Sequence, residues 1–199
     1  MPNQRPYAPA CDKNKQPILE VLRQEFLHPG LVLEIGSGTG QHAVHFAKHL
    51  RHLEWQPTDL AENLPGINAW CSCSGLTNLR HPQQLNVRTA NWTSLKADYL
   101  FSANAVHIMD WASVENFFAG IGKCLDTGGK AAFYGPFNFA GQYTSESNAR
   151  FDQWLKKQNS LSGIRNFEDL DCLARSVGLS FLKDYPLPAN NRTLIWSYL

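Results

Sequence analysis

The run Val32-Leu-Glu-Ile-Gly-Ser-Gly-Thr-Gly40 limits what this chain can fold into more than any other, because an apolar strand feeds a turn with glycines at 36, 38 and 40. Such glycines let the backbone fold tightly and let a ligand approach without Cβ atoms in the way. Their alternation differs from the G-x-G-x-x-G spacing of the dinucleotide fingerprint. Glu34 would repel a phosphate, whereas it suits an ammonium or an ordered water. The turn therefore fits a nucleoside ligand carrying an amino acid better than one carrying a pyrophosphate. Asp59 closes the run Trp55-Gln-Pro-Thr-Asp59, 19 residues beyond Gly40, the span of one helix and one strand. A carboxylate there can accept the hydroxyls of a ribose. Otherwise, the glycines are a plain turn and Asp59 caps a helix.

The rest of the chain repeats the strand–helix alternation. Apolar residues at helical spacing predict a helix over Ile18–Leu27, within an N-terminal helical segment 14–28, with Pro17 in its first turn. Strands are expected at Leu31–Ile35, 52–57, Leu85–Val87, Tyr99–Ala103 and Lys130–Tyr134. Helices are expected over 41–50, 63–79, Val114–Leu125 and 167–177, with Asp126-Thr-Gly-Gly129 as a break. In the second helix Val44, Ala47 and Leu50 share a face, which leaves His42, His45 and His49 toward solvent. Two final strands, 180–186 and 192–198, hinge at Pro188-Ala-Asn-Asn191 and form an antiparallel hairpin at the sheet edge. The pattern predicts one α/β domain over 1–199, interrupted at 136–166 by a polar stretch too long for an ordinary connection.

Composition narrows the class further. A formal charge of +1 argues against an extended nucleic-acid surface. No apolar run approaches the ~18 residues of a membrane span, and no leader-like segment follows the N-terminus. Five cysteines in a chain this long read as reduced thiols in a cytoplasmic protein. Cys71, Cys73 and His81 lack a fourth ligand at a recognised spacing, so no metal site is expected.

The glycine run resembles the first motif of class I S-adenosylmethionine-dependent methyltransferases. More narrowly, the chain resembles the DUF938 group, which includes the methyltransferase-like 26 proteins. The similarity includes Asn14-Lys-Gln-Pro-Ile-Leu-Glu-Val-Leu22, Trp55–Asp59, Ala103-Asn-Ala-Val-His-Ile108, Gly135-Pro-Phe137, Thr144–Asp152, Gly163-Ile-Arg165 and Pro188–Asn191. It implies a Rossmann-like seven-stranded fold, mostly parallel with an antiparallel terminal strand, and S-adenosyl-L-methionine as cofactor. It places Gly36, Gly38 and Gly40 around the methionine part and Asp59 at the ribose, with Glu34, Ser37 and Leu60 as further cofactor contacts. Asn86 then falls at the adenine, Val87 is a further cofactor contact, and Asn104 contacts the cofactor and borders the acceptor. The group usually has Arg where this chain has Lys13, and an acid where it has Asn86. The Asn86 oxygen can still accept from the adenine amino group, without charge assistance.

Methyl transfer from a sulfonium needs an aligned nucleophile, excluded water and, where the nucleophile carries a proton, a base. His107, Tyr143 and Glu146 are the candidates for proton transfer. His107 is either a base or a histidine that holds the junction in shape, and Asp110 orients it only if the turn brings them together. Asn14, Asn148, Arg150 and Arg165 are the candidates for holding substrate, the arginines for an acidic group. The stretch 136–166 is a lid, a capped helix starting at Ser147 or Asn148 with Phe151 and Trp154 as its apolar face, or both. The expected partner is a small molecule, and the protein is expected to be a monomer or weak homodimer. Alternatives are a protein side chain or nucleotide as acceptor, or a cofactor-binding scaffold without turnover.

Overall fold

A computed structural model of the chain describes residues 5–198. In chain order the strands are β1 Gly30–Ile35, β2 Leu53–Asp59, β3 Gln83–Gln84, β4 Ala97–Ala103 and β5 Leu125–Gly135, then β6 Phe137–Asn138, β7 Arg165–Asn166, β8 Leu179–Leu187 and β9 Asn191–Tyr198. The helices are α1 Pro9–Glu25, α2 Gln41–His49, α3 Leu64–Ser72 and α4 Ala105–Ile108, followed by α5 Trp111–Cys124, α6 Glu146–Gln158 and α7 Phe167–Ser176. Seven strands form one sheet in the order β3-β2-β1-β4-β5-β9-β8. The pairs from β3 to β5 are parallel, and β9 runs antiparallel to both of its neighbours. The remaining two strands, β6 and β7, make a small parallel pair of their own.

Period-two alternation along the strands divides the core into two layers. On one face Val32, Trp55, Tyr99 and Phe101 pack against Ile18, Leu22 and Phe26 of the α1 region and Phe46 of α2. On the other, Leu33, Leu100, Phe133 and Trp196 meet Phe117, Phe118 and Ile121 of α5 and Leu170 of α7. Both faces of the central strands are therefore covered, and the open ends of the strands are left for function.

Several expected boundaries move, each for a physical reason. Helix α1 starts at Pro9, and Pro17 lies inside it, where it cannot donate to the Lys13 carbonyl. Strand β3 pairs only with Thr58 and Asp59, because the chain turns at Asn86, whose Oδ1 accepts from Arg88 N at 3.0 Å. The glycine break after Leu125 is a bulge inside β5, between the pairings Ala97↔Leu125 and Tyr99↔Lys130. The final hairpin forms, but β9 lies between β5 and β8, so β8 is the edge. His42 is buried rather than solvent-facing, because Phe46 takes the core side of α2 and carries the ring inward with it. Among the described residues, no helix is long and apolar enough to cross a membrane.

Candidate active site

The glycine turn leaves β1 with Gly36, Gly38 and Gly40 all at positive φ, which explains the residue type at each. Its backbone is tied to β2. Gly36 and Ser37 both donate to the Thr58 carbonyl at 3.0 Å, and Ser37 Oγ accepts from Thr58 N at 3.1 Å. Gly38 N donates to Asp59 Oδ2 at 2.7 Å, while Asp59 Oδ1 accepts from Leu60 N at 2.7 Å and Asn63 Nδ2 at 2.9 Å. The turn's amides are therefore occupied by protein acceptors, which disfavours a phosphate cradle. At Gly38 a Cβ would meet nothing within 4 Å, so this stretch of backbone lies bare toward open space.

Glu34 is buried and accepts from the Trp55 indole at 2.9 Å. Burial pushes its carboxyl up to about 7, and the Asp59 charge adds to this against the bonds from Trp55 and Ser37. Leu60 is exposed at the rim beside Asp59. Val87 is buried and turns its carbonyl to the Trp92 indole. Asn104 adopts a left-handed conformation at the end of β4, its N–H bonded to Tyr134 O at 2.8 Å.

A cavity of about 450 Å³ opens beside Asn104 at the carboxyl ends of β4 and β5. Its walls come from Lys13, Asn14 and Pro17 of α1, Tyr134 and Pro136 around the end of β5, Asn148 and Phe151 of α6, and the turn at Pro188. Asn14 and Asn148, two of the four expected substrate residues, thus stand on one cavity. The glycine turn lies outside its walls; Asn104 is a wall residue, and its neighbour Ala105 packs against Gly36, where an added Cβ would come within 2.8 Å of the Ala105 Cβ.

The expected proton-transfer residues do not reach this cavity. His107 is 1% exposed and packs under Gly135 and edge-on to Phe137, with neither ring nitrogen at hydrogen-bonding geometry to a partner. Burial pushes its pKa down to about 3, with the Arg165 guanidinium acting in the same direction. Asp110 does not orient it, because that carboxylate caps α5 at Ser113 N and pairs with Arg88. Tyr143 donates to Asp152 at 2.7 Å, and Glu146 and Arg150 face solvent on the first turns of α6, a helix capped by Ser145 rather than Ser147 or Asn148. Arg165 is committed to the carbonyls of Val106, Met109 and Leu161. It clamps the turn after β4 to β7 and does not extend toward an acidic ligand group. Trp154 is half exposed and stacks on Phe151 at 5.8 Å, so the outer side of α6 is only partly covered.

A family model described as a protein of unknown function (DUF938) matches residues 5–198. The chain belongs to the DUF938 family. This DUF938 chain also superposes on larger solved proteins. One is an O-methyltransferase family protein from Burkholderia thailandensis, at 16% identity and a TM-score of 0.83, covering 94% of this chain and 57% of that one. A second is a mitomycin 7-O-methyltransferase, at 12% identity and 0.81, covering 96% and 54%. A third is human N-acetylserotonin methyltransferase in complex with SAM, at 15% identity and 0.78, covering 94% and 52%. The DUF938 chain thus has the class I methyltransferase fold and spans about half the length of these neighbours.

Two residues of the DUF938 site escape sequence reasoning. His42 Nε2 lies 2.7 Å from Asn14 Oδ1, and Asn14 and Tyr134 stand together on the cavity wall. Burial pushes His42 down to about 4, so its ring is neutral near pH 7. Tyr134 ends an apolar strand like any other core aromatic, and His42 sits among polar residues, so neither carries a signal.

These buried rings make stability pH-dependent. His42 and His107 have folded pKa values below the unfolded ~6.5, so their contributions are complete above that pH and are lost as it falls through about 4 and about 3. Glu34 is raised, so its contribution is complete below its unfolded value and is lost as pH rises through about 7. Between those limits these two histidines, together with His45, which partial burial also pushes down to about 4, oppose one carboxyl, and stability is expected to rise with pH. His107→Leu should lower that slope by about 1.4 kcal/mol per pH unit. Urea titrations between about pH 4.5 and 6.5 measure it; an unchanged slope would mean that the ring is protonated in the folded protein.

Proposed function

We propose that this protein transfers a methyl group from S-adenosyl-L-methionine to a small molecule held in the cavity between α1, α6 and the Pro188 turn. One observation carries the reading: the glycine turn closed on Asp59 and an acceptor-sized cavity share one end of the sheet, joined through Ala105, which meets Gly36, and its neighbour Asn104 on the cavity wall. The residues fit the cofactor, since the bare backbone at Gly38 is the surface a nucleoside amino acid needs and the occupied turn amides disfavour a phosphate. The printed names of the structural neighbours, O-methyltransferases and a methyltransferase bound to SAM, support the same reading.

In this reading Asp59 accepts from the ribose, Leu60 and Val87 flank the adenine, and Glu34 and Asn104 face the methionine end. Bound there, the cofactor supplies an electrophilic methyl group on a sulfonium. The chain positions the acceptor in line with it and excludes water with Pro136, Phe151 and Pro188. Segment 136–166, through α6, acts as the lid. The enclosed His107, the exposed Glu146 and the committed Tyr143 leave no strong base at the cavity, an observation that favours a second reading: a cofactor-binding scaffold without turnover.

Calorimetry tests the cofactor. S-adenosylmethionine should bind and NAD should give no heat, and the reverse result overturns the proposal. Incubation with a labelled methyl donor and a metabolite extract then separates enzyme from scaffold, because only the enzyme moves label onto a small molecule.

A further inference from the structure

The cavity wall carries a directional hydrogen-bond pattern that narrows what can fill it. Asn148 is 4% exposed, and its Nδ2 donates to Thr144 Oγ1 at 2.9 Å and to the Asn190 carbonyl at 3.2 Å. A carbonyl can only accept, so the amide cannot be turned over, and Oδ1 is the side with no protein partner. Tyr134, also 4% exposed, stands with Asn14 on another wall. Asn14 Oδ1 is taken by His42, so Asn14 offers the Tyr134 O–H no acceptor. The Tyr134 O–H is then left to donate elsewhere. Pro17, Pro136, Phe151 and Pro188 are flat and apolar. Among the described residues, Lys13, which is exposed, is the only ionisable residue on the wall besides Tyr134, so a cation finds no carboxylate there and a dianion finds a single ammonium.

We propose that the cavity takes a flat, uncharged small molecule that presents a hydrogen-bond donor to Asn148 Oδ1 and an oxygen or nitrogen acceptor to the Tyr134 hydroxyl. Identifying this molecule with the methyl acceptor rests on the methyl-transfer reading. The pattern of donors and acceptors does not. Tyr134 acts here as a positioning residue. A volume of about 450 Å³ lies in the usual range for small-molecule sites and exceeds what a two-ring compound needs.

The test uses the whole chain and three fluorescent probes: 2,6-dihydroxynaphthalene, its dimethyl ether and naphthalene-2,6-disulfonate. The diol should bind about tenfold more tightly than the ether, which can accept but not donate, and the disulfonate should bind most weakly. Tyr134→Phe, checked for folding by near-ultraviolet circular dichroism, should weaken diol and ether together by about tenfold and leave their ratio intact. Asn148→Ala should bring that ratio close to one. Equal binding of diol and ether to the unaltered chain, preference for the disulfonate, or a Tyr134→Phe variant with unchanged affinities each overturns the inference. Calorimetry with S-adenosylhomocysteine is a separate arm. If it fails while the probe pattern holds, methyl transfer falls and the ligand class stands; if it succeeds without the pattern, only the ligand class falls.

Discussion

Asp59→Ala is expected to lower affinity for S-adenosylmethionine by about a hundredfold, the equivalent of a charged hydrogen bond worth ~1.5–3 kcal/mol. Two losses combine. The ribose loses a carboxylate acceptor, and Gly38 loses the acceptor that fixes the turn, so the binding surface is no longer preformed. Asp59→Asn sharpens the prediction. Both carboxylate oxygens already accept from N–H groups, Oδ2 from Gly38 and Oδ1 from Leu60 and Asn63. An amide must aim its own N–H₂ at one of those donors, so the isosteric variant should bind within a few-fold of the alanine variant. Calorimetry on both decides it. An alanine variant near the unaltered affinity would put Asp59 outside the cofactor site.

The second large effect is on stability. Asp152 is 2% exposed and accepts from Tyr143 Oη and Ile164 N, each at 2.7 Å, and from Lys156 Nζ at 2.6 Å. Burial raises its pKa, but the bonds from Lys156, Tyr143 and Ile164 outweigh that and hold the carboxyl below its usual value. Asp152→Ala leaves the buried Ile164 N–H without an acceptor and frees α6 from the turn before β7. The expected cost is about 3 kcal/mol, most of it from the buried Ile164 bond and the half-buried Tyr143 bond, because Lys156 is itself well exposed and its ion pair is screened. For a domain this size that lowers Tm by about 6–12 °C. Since Asn148 and Phe151 ride on α6, probe binding in the cavity should weaken as well. The sign with pH follows from the depressed pKa: the contribution is complete above the unfolded value near 3.9 and is lost as pH falls through the folded one. A melting point unchanged by the substitution would rule out Asp152 as the latch of α6.

The parts of the fold that are legible in the sequence are those where local chemistry alone decides the outcome. Three positions in the turn need positive φ, and only glycine takes it without strain, so the residue types themselves announce the turn. Asp59 follows from it, because a helix and a strand together have a nearly fixed length. The direction of the charged side chains is hidden. Glu146 and Arg150 announce charge in the sequence, but whether α6 turns them inward depends on Phe151 and Asn148 competing for the same face. Arg165 has the composition of an anion ligand, yet three backbone carbonyls surround it once β7 pairs with β6. His107 has the place of a base because it follows strand four; only the packing of Gly135 and Phe137 around it takes that role away.

The placement of β9 between β5 and β8 also bears on how the protein is made. During synthesis the parallel half of the sheet can assemble while β5 still shows a bare hydrogen-bonding edge, the kind of surface on which chains aggregate. That edge is covered only after residues 191–198 have left the ribosome and slotted beside it. The same late strand brings in the Pro188 turn that completes the cavity wall. Seating β9 therefore closes the bare edge of β5 and completes the cavity wall in one step, so binding competence and protection from aggregation arrive together.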